Sequence, residues 1–510
     1  MNKVKKSAAL LLSASMAFTL VSACGKAKEG ASADSKQGQT DEKPYKLVFM
    51  TTGDQAAANL KGNDRIIAEI NKRLGIELVL KIVPEGSYDK VNVAMATGDY
   101  PDVLTINYPT NSLSQWINEG IVVPINDYLK DMPTVKKKLE SSLSWTAVNG
   151  KYYGYPFIEE RSNMNIVYRA DWLEKLGLKP PQTLDEFYET LKAIATKDPD
   201  GNGKNDTFGL TSAKSGSNVP TFDFIFYANG MPNGDWALDE KGSVIPKFEH
   251  PAFKRGMTYL KKLWDEKLIE PEYMLNDTQM KEQKFYQGKV GFMDAALFRH
   301  VNRLETSLQK VNPSGKLGFT APPAGQDGKR GMSATPKSGL FTAITKGSKN
   351  PEKAAKFIEF MLSKEGRELL ELGFEGVHYT KQGDKITYNE EERAKDSFAS
   401  NGWAHPLAWG SVVWPLTENY LPQTEPQADR AKDSVRLATE NMKPNLVNVT
   451  TKAETEFNGV VNELYYQYFT NMMIGKMDVD TGIAELGKKW REQGGSKILE
   501  EVNAAYKEKK

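Results

Sequence analysis

Hydrophobic and polar positions switch between two periods along the body of this chain. Lys46-Leu-Val-Phe-Met50 is a short apolar run of strand character, and Ile66, Ile67, Ile70 and Leu74 then recur at helical spacing. Ile76 to Val83 alternates like a strand, Tyr88 to Ala96 reads as a helix, and Val103-Leu-Thr-Ile106 returns to strand. This β-α-β-α-β order predicts a mostly parallel sheet covered by helices. Thr183-Leu-Asp-Glu186 is a capping box: the threonine side chain accepts from the amide three residues on, and the glutamate reaches back. Leu184, Phe187, Tyr188, Leu191 and Ile194 follow as one apolar stripe. Asn350-Pro351 supplies a cap and a proline at the first helical position, with Ala354, Phe357, Ile358, Met361 and Leu362 as the buried face. Both stripes are read as core. Turn-rich breaks near 156–165 and 331–340 are the expected crossovers between two lobes.

The first two dozen residues have a different pattern. Lys3, Lys5 and Lys6 precede an apolar run from Ala8 to Val21, and Val21-Ser-Ala-Cys24 ends it in the only cysteine of the chain. The run is short for a transmembrane helix, which needs ~20 residues. It reads as a lipoprotein signal, residues 1–23, cut before Cys24 so that the thiol carries acyl chains such as palmitate. The alternative is an ordinary signal peptide with a chance cysteine. Residues 24–44, polar and small, read as a disordered tether with an end-to-end distance of ~25 Å. The expected location is the outer face of the cell membrane, held to the bilayer by lipid.

Composition narrows the chemistry. The 67 basic and 66 acidic residues give a formal charge of +1, and loss of the three signal lysines makes the mature chain slightly acidic. No basic excess suits nucleic acid. With Cys24 committed to lipid there is no disulfide, iron–sulfur cluster or thiol nucleophile. His250, His300, His378 and His405 lie far apart, with no HExxH spacing. There is no GxSxG elbow, Walker A loop or GxGxxG turn. Acids are plentiful, but sequence spacing does not show two carboxyls flanking a bond. The chain is read as a non-enzyme and a monomer.

The sharpest local signal is Asp198-Pro-Asp200-Gly-Asn202-Gly-Lys204-Asn-Asp206. Oxygen side chains at positions 1, 3, 5 and 9, glycine at 6 and a backbone carbonyl at 7 (Lys204) match the spacing that wraps calcium in an EF-hand loop. Position 12 departs from it, with Gly209 in place of a bidentate glutamate. Thr207 or water is expected to complete the shell, in a structural calcium site. A solvated turn that binds nothing is the alternative. The second signal is aromatic. Trp403, Trp409 and Trp414 fall in GWAHPLAWGSVVWPL, a Gly/Pro-broken segment without helical or strand register. Flat apolar rings in irregular segments match the C–H faces of sugars, so these three, with Trp145 and Trp236, are candidate ligand walls. Satellite core under loops is the other reading. Arg161 and Arg299, the latter beside Phe298, are candidate polar partners, although surface ion pairs explain them equally well.

The stretches Ala96-Thr-Gly-Asp-Tyr-Pro-Asp102, Gly150-Lys-Tyr-Tyr-Gly-Tyr-Pro156, Tyr168-Arg-Ala-Asp-Trp-Leu-Glu-Lys-Leu-Gly177, Asn350-Pro-Glu-Lys-Ala-Ala355 and Phe374-Glu-Gly-Val-His-Tyr379 resemble the extracellular solute-binding lipoproteins of bacterial ABC importers. The likeness is to the LplA-like branch and to alginate-oligosaccharide-binding proteins, and it runs over most of the mature chain. It implies a periplasmic-binding-protein-like α/β fold: two lobes joined by a multi-strand hinge, with an oligosaccharide in the cleft. It also implies ABC permeases as partners, and a calcium loop on Asp198, Asp200, Asn202, Lys204 and Asp206. Where the alginate binders carry glutamate after the last aspartate, this chain has Thr207. The expected division is 45–157 plus about 338–395 for the N-lobe, and 158–337 plus about 396–510 for the C-lobe. A secreted glycosidase or polysaccharide lyase is the competing function.

Overall fold

The computed structural model describes residues 43–508, apart from 54–59, 61, 85–87, 108–111, 142–146, 149, 157–163, 215–219, 297–303, 335–339, 384, 399–403, 411–426, 448 and 450. The signal, Cys24 and nearly all of the tether therefore lie outside the described residues. Two sheets are built from Tyr45–Gly53 (β1), Ile76–Pro84 (β2), Val103–Asn107 (β3), Tyr155–Pro156 (β4), Met164–Arg169 (β5), Phe208–Thr211 (β6), Val290–Ala296 (β7), Leu317–Thr320 (β8) and Leu340–Ile344 (β9). The helices that matter below are Arg65–Leu74 (α1), Tyr88–Thr97 (α2), Leu184–Thr196 (α3), Asp223–Ala228 (α4), Pro251–Asp265 (α5), Pro351–Leu362 (α6), Pro406–Gly410 (α7), Gln427–Glu440 (α8) and Lys452–Met473 (α9).

The N-lobe sheet has the order β2-β1-β3-β9-β4. β1 runs parallel to both β2 and β3, as the alternating pattern requires, while β9 is antiparallel to β3 and β4 because it returns from the other lobe. The C-lobe sheet is β8-β5-β7-β6, with β6 and β7 parallel and β5 antiparallel to its neighbours β7 and β8. The chain passes between sheets across 157–163, 335–339 and 411–426, segments outside the described residues. The breaks expected near 156–165 and 331–340 fall largely on these undescribed residues.

Each lobe has its own core. In the N-lobe, Phe49 of β1 meets Phe357 of α6 edge-on at 5.2 Å, and Ile66 and Ile70 of α1 are fully buried beside them. In the C-lobe, α3 lays Phe187, Leu191 and Ile194 on the sheet, and Phe187 meets Phe292 of β7 at 5.3 Å. Phe226, Phe253 and Phe469 extend that core through α4, α5 and α9. Each such ring contributes roughly 1.5–3 kcal/mol on burial.

The helix ends form largely as their sequences dictate. Asn350 accepts from the Lys353 amide at 3.0 Å, and Thr183 accepts from the Glu186 amide at 3.1 Å. Glu186 reaches one residue further back than a capping box requires, to the Gln182 amide at 2.7 Å. Beside it a parallel bridge runs through the neighbours of Thr183: the Leu184 amide donates to the Ala324 carbonyl at 2.9 Å, and the Ala324 amide to the Gln182 carbonyl at 2.8 Å. The motif ending in Asp102 is structural: that carboxylate accepts from the Tyr45 hydroxyl at 2.5 Å and the Val48 amide at 2.8 Å, tying α2's exit to β1.

One boundary needs correction. The described residues 396–398 and 404–408, expected in the C-lobe, belong with the N-lobe core. Phe398, Ala404, Leu407 and Ala408 pack there, among Ile66, Ile70 and Phe357. Two buried His–carboxylate pairs hold them: His405 Nε2 lies 2.9 Å from Asp64 Oδ2, and His378 Nε2 lies 2.7 Å from Asp396 Oδ2. Arg65 adds a second bond to Asp396 at 2.6 Å. The third crossing therefore follows residue 410. α7 lies inside the segment expected to lack regular structure, started by His405 Nδ1 accepting from the Leu407 amide at 3.2 Å.

Candidate ligand site at the carboxyl edge of the C-lobe sheet

Parallel strands collect loops, amides and side chains beyond their carboxyl ends, and ligands bind there in open α/β sheets. In the C-lobe that edge is formed by Ser212 after β6 and by Asp294 in the last turns of β7. A cavity of about 260 Å³ opens against both residues. Its walls continue through Pro220, Thr221 and Phe222 and through the first two residues of α4, Asp223 and Phe224. Met164, the first residue after one crossing, and Met332 and Ser333, just before another, close it.

The polar groups are held from behind. The Ser212 hydroxyl donates to Asp294 Oδ1 at 2.8 Å. Lys281, buried on the helix preceding β7, lies 3.2 Å from the same oxygen and donates to the Asp294 carbonyl at 2.7 Å. None of these bonds uses Asp294 Oδ2. Below Ser212, the Thr211 hydroxyl and the Asn276 amide donate to Glu270 Oε2 at 3.1 and 2.9 Å, and Asn276 also reaches the Ser212 carbonyl at 3.2 Å. Lys284 completes this cluster at 2.8 Å from Glu270. Desolvation alone would lower its ammonium; the Glu270 and Glu272 carboxylates outweigh it and push the pKa up. Across the cavity, Asp223 accepts from the Thr221 hydroxyl and, at 3.4 Å, from Ser333. Burial pushes the neighbouring Tyr227 phenol well up, so it stays a hydroxyl, 2.8 Å from Ser333.

The apolar wall is under backbone strain. Phe222 has φ +52° and ψ +49°, the left-handed region that bulky residues avoid. Such a conformation costs about 1–3 kcal/mol and persists only where its surroundings enforce it. Here Phe222 is 6% exposed, with its ring 5.1 Å from that of Tyr273. Tyr466 of α9 also lines the cavity. Rings, hydroxyls and carboxylate oxygens together suit a polyhydroxylated ligand, whose C–H faces stack while its hydroxyls donate.

Two larger openings lie elsewhere. A groove of about 460 Å³ beside α5 is lined mainly by charges that satisfy one another, such as Lys254 with Asp480 at 2.5 Å. A hollow of about 350 Å³ lies beside Pro199 and Asp200, where Arg169 is paired with Asp171 at 2.6 Å and stacked 4.4 Å over Trp172. Neither lies at the carboxyl edge.

Most of the aromatic expectations fall elsewhere in the chain. Trp145, Arg161, Phe298, Arg299, Trp403 and Trp414 lie outside the described residues, as does the Trp409 side chain. Trp236 is described, and its assignment is corrected. It is 7% exposed and meets Trp490 edge-on at 6.2 Å, so it belongs to the C-lobe core. Ser212, Asp223 and Asp294 were missed because isolated polar residues at strand ends or helix starts resemble any surface residue. The available signal was Phe208-Gly-Leu-Thr-Ser212, an apolar strand ending in hydroxyls.

The acidic loop folds on itself. Asp198, at φ +46°, accepts from the amides of Gly201 and Asn202 at 3.0 Å each and of Gly203 at 2.9 Å. The Asn202 side-chain amide sits between Asp200 and Asp206, at 2.8 and 2.9 Å. Desolvation would raise the Asp198 carboxyl, but Asp200 and the loop amides outweigh it and hold the group below its ordinary value. Desolvation and the neighbouring Asp198 carboxylate push Asp200 up. Oxygen donors of the expected type thus gather around the Asn202 amide, and Asp206 Oδ2 also pairs with Lys289 at 3.0 Å. Among the described residues, no three acidic or histidine side chains converge as a metal cluster. Thr207 is not available to the loop, because it is buried and donates to the Ile194 carbonyl at 2.7 Å. Gly209 has a packing reason: a Cβ there would stand 2.6 Å from Leu191 Cβ, so position 12 carries no side chain.

Residues 57–368 match the family model described as bacterial extracellular solute-binding protein. The chain belongs to this family. Among curated relatives, this solute-binding protein is 29% identical to the polygalacturonan/rhamnogalacturonan-binding protein YtcQ of Bacillus subtilis, over 88% of this chain and 89% of that one. It is 28% identical to lipoprotein LipO of the same organism, over 86% and 88%. It is also 28% identical to the fructooligosaccharide ABC transporter substrate-binding protein FusA of Streptococcus pneumoniae, over 57% of each. Among solved structures, alginate-binding protein AlgQ2 without calcium ion superposes with a TM-score of 0.70 at 24% identity, covering 92% of this chain and 99% of that one. FusA in complex with kestose gives 0.69 at 21% identity, covering 91% and 99%. An EF-hand mutant of FusA gives 0.68. These superpositions establish the two-lobed fold.

Proposed function

We propose that this solute-binding protein captures an oligosaccharide outside the cell and delivers it to the membrane permeases of an ABC importer. The observation that carries the reading is the cavity at the carboxyl edge of the C-lobe sheet, walled by residues next to two interlobe crossings. Ligand at that place favours the closed arrangement of the lobes by contacting it better than the open one, and the closed form docks on the permease. Relatives named for oligosaccharide or polysaccharide binding support the choice of cargo. The protein acts without changing the covalent bonds of its ligand.

Cys24 is the point of lipid attachment in this reading, and the resemblance to a lipoprotein supports it. Among the described residues no helix is long and apolar enough to cross a membrane. Calcium occupies the 198–206 loop, held by Asp198, Asp200, Asp206, the Asn202 amide oxygen after rotation of its side chain, and the Lys204 carbonyl. Water fills the place that Thr207 and Gly209 leave.

Incubation with oligosaccharide panels tests the function. A binding protein gives a thermal shift and returns the sugar intact. Fragments accumulating with time would refute the reading in favour of a glycosidase or lyase.

A further inference from the structure

Binding a sugar does not fix its charge, and here the cavity walls carry information. We propose that the C-lobe half of the cleft takes a neutral sugar unit and rejects a uronate. The proposal rests on the oligosaccharide reading above and narrows it. Two carboxylates, Asp223 and Asp294, line the cavity, and none of its described lining residues is a lysine or arginine. Lys281, the cation behind Asp294, is buried and committed to it, through Oδ1 at 3.2 Å and the main-chain carbonyl at 2.7 Å. Sugar hydroxyls are donors that carboxylates take well. Each carboxylate oxygen has two lone pairs, and charge-assisted bonds to it are the strong ones.

The hydrogen bonds already in place preserve that capacity. Ser212 and Lys281 both address Asp294 Oδ1, which leaves Oδ2 unused by any of these bonds. Asp223 receives Thr221 on one oxygen and Ser333, at 3.4 Å, on the other, so each retains an acceptor position. Phe222 and Tyr466 supply the apolar surface for the ring. A sugar carboxylate would bring a third negative charge beside two carboxylates and would lose its hydration with no cation among the described lining residues in return. The cavity therefore differs in charge preference from what the name of YtcQ would suggest by transfer.

The test is titration of the full-length protein, read by intrinsic tryptophan fluorescence and by melting temperature. One arm uses neutral galacto-, xylo-, gluco- and fructo-oligosaccharides. The other uses trigalacturonate, its methyl ester and trimannuronate. At least one neutral probe is expected to saturate, with an affinity unchanged between about 0.05 and 0.5 M salt, and no free uronate is expected to match it. Asp223→Asn and Asp294→Asn, which keep size and one acceptor oxygen, are expected to weaken the neutral probe about tenfold or more. Tight uronate binding would overturn the proposal and leave the sugar reading standing. Unaltered neutral affinity in both variants would overturn it as well. If neither arm binds, the proposal and the sugar reading fall together. Salt independence, measured on the unmutated chain, decides the matter should either variant fold poorly.

Discussion

The acidic loop offers the most quantitative prediction. The perturbation is removal of calcium by chelator, compared with about 10 mM calcium. Extracellular calcium modules bind at ~10⁻⁴–10⁻³ M, so linkage, RT ln(1 + [L]/Kd), gives about 1.4–2.7 kcal/mol of stabilisation. For a lobe of roughly 250 residues that corresponds to about 3–10 °C in melting temperature. The structure separates the metal's effect from that of the loop itself. The Asp198 carboxylate already caps the amides of Gly201, Asn202 and Gly203, so Asp198→Ala lowers stability even in chelator. Asp198→Asn keeps an acceptor for those amides while removing charge. The expected order of the calcium-dependent shift is unmutated chain, then Asp198→Asn, then Asp198→Ala with Asp206→Ala, the last showing none. Calorimetry in calcium, magnesium and chelator makes the measurement. An unmutated protein with the same melting temperature in calcium and chelator would refute the assignment, and the loop would then be a self-satisfied turn closed by Asn202.

The remaining predictions address the buried histidines, the misplaced tryptophan and the expected wall. Burial holds His378 below its ordinary 6.5, more than Asp396 raises it, and burial lowers His250 in the same direction. Between those folded values and 6.5 the unfolded chain binds more protons, so stability rises with pH through that window, is fully present above it and is lost on acidification. The urea midpoint is expected to be lower at pH 5.5 than at pH 7.5, with a smaller difference in His378→Gln; midpoints independent of pH would count against the buried neutral ring. Trp236→Ala is expected to cost about 3–5 kcal/mol of stability as a core truncation, with sugar affinity unchanged in whatever remains folded. A stable variant with weakened sugar binding would return Trp236 to the ligand wall. Trp403→Ala or Trp409→Ala is expected to weaken sugar binding by ~1–3 kcal/mol, by analogy with stacking losses, and equal affinity in both would remove that wall.

Local rules carried much of the fold. The apolar run at Lys46–Met50, the alternation of Ile76–Val83 and the caps at Thr183 and Asn350 each rest on neighbours within a few residues. What escaped the sequence was long-range pairing. Residues 396–408 look like a solvated turn-rich stretch, and only the distant partners Asp64 and Arg65 reveal that Asp396 and His405 are interior. Trp236 escaped for a related reason: its neighbour Trp490 comes from the far C-terminal region. The cavity itself was illegible, because Phe222 adopts a conformation that no local preference favours. An outlier of this kind marks a place where tertiary contacts overrule the chain's own tendency.

The corrected boundary sharpens how ligand and lobe position are linked. With the described residues of 396–408 in the N-lobe, the crossings leave N-lobe elements at Pro156, at Leu340 and at Gly410. Two of these crossings reach the C-lobe at cavity-lining residues, Met164 and the Met332–Ser333 strand. Ser333 also bonds Asp223, and Met332–Ser333 pairs in parallel with Met442–Lys443, the short strand after α8 that follows the third crossing. A ligand seated against Asp223 and Ser333 therefore touches the structure through which two crossings, and indirectly the third, enter the lobe. Closure then needs no relay through either core. On the proposed function, a ligand placed there lies beside the described residues that flank the crossings, where contacts are able to differ between open and closed arrangements, as a population shift requires.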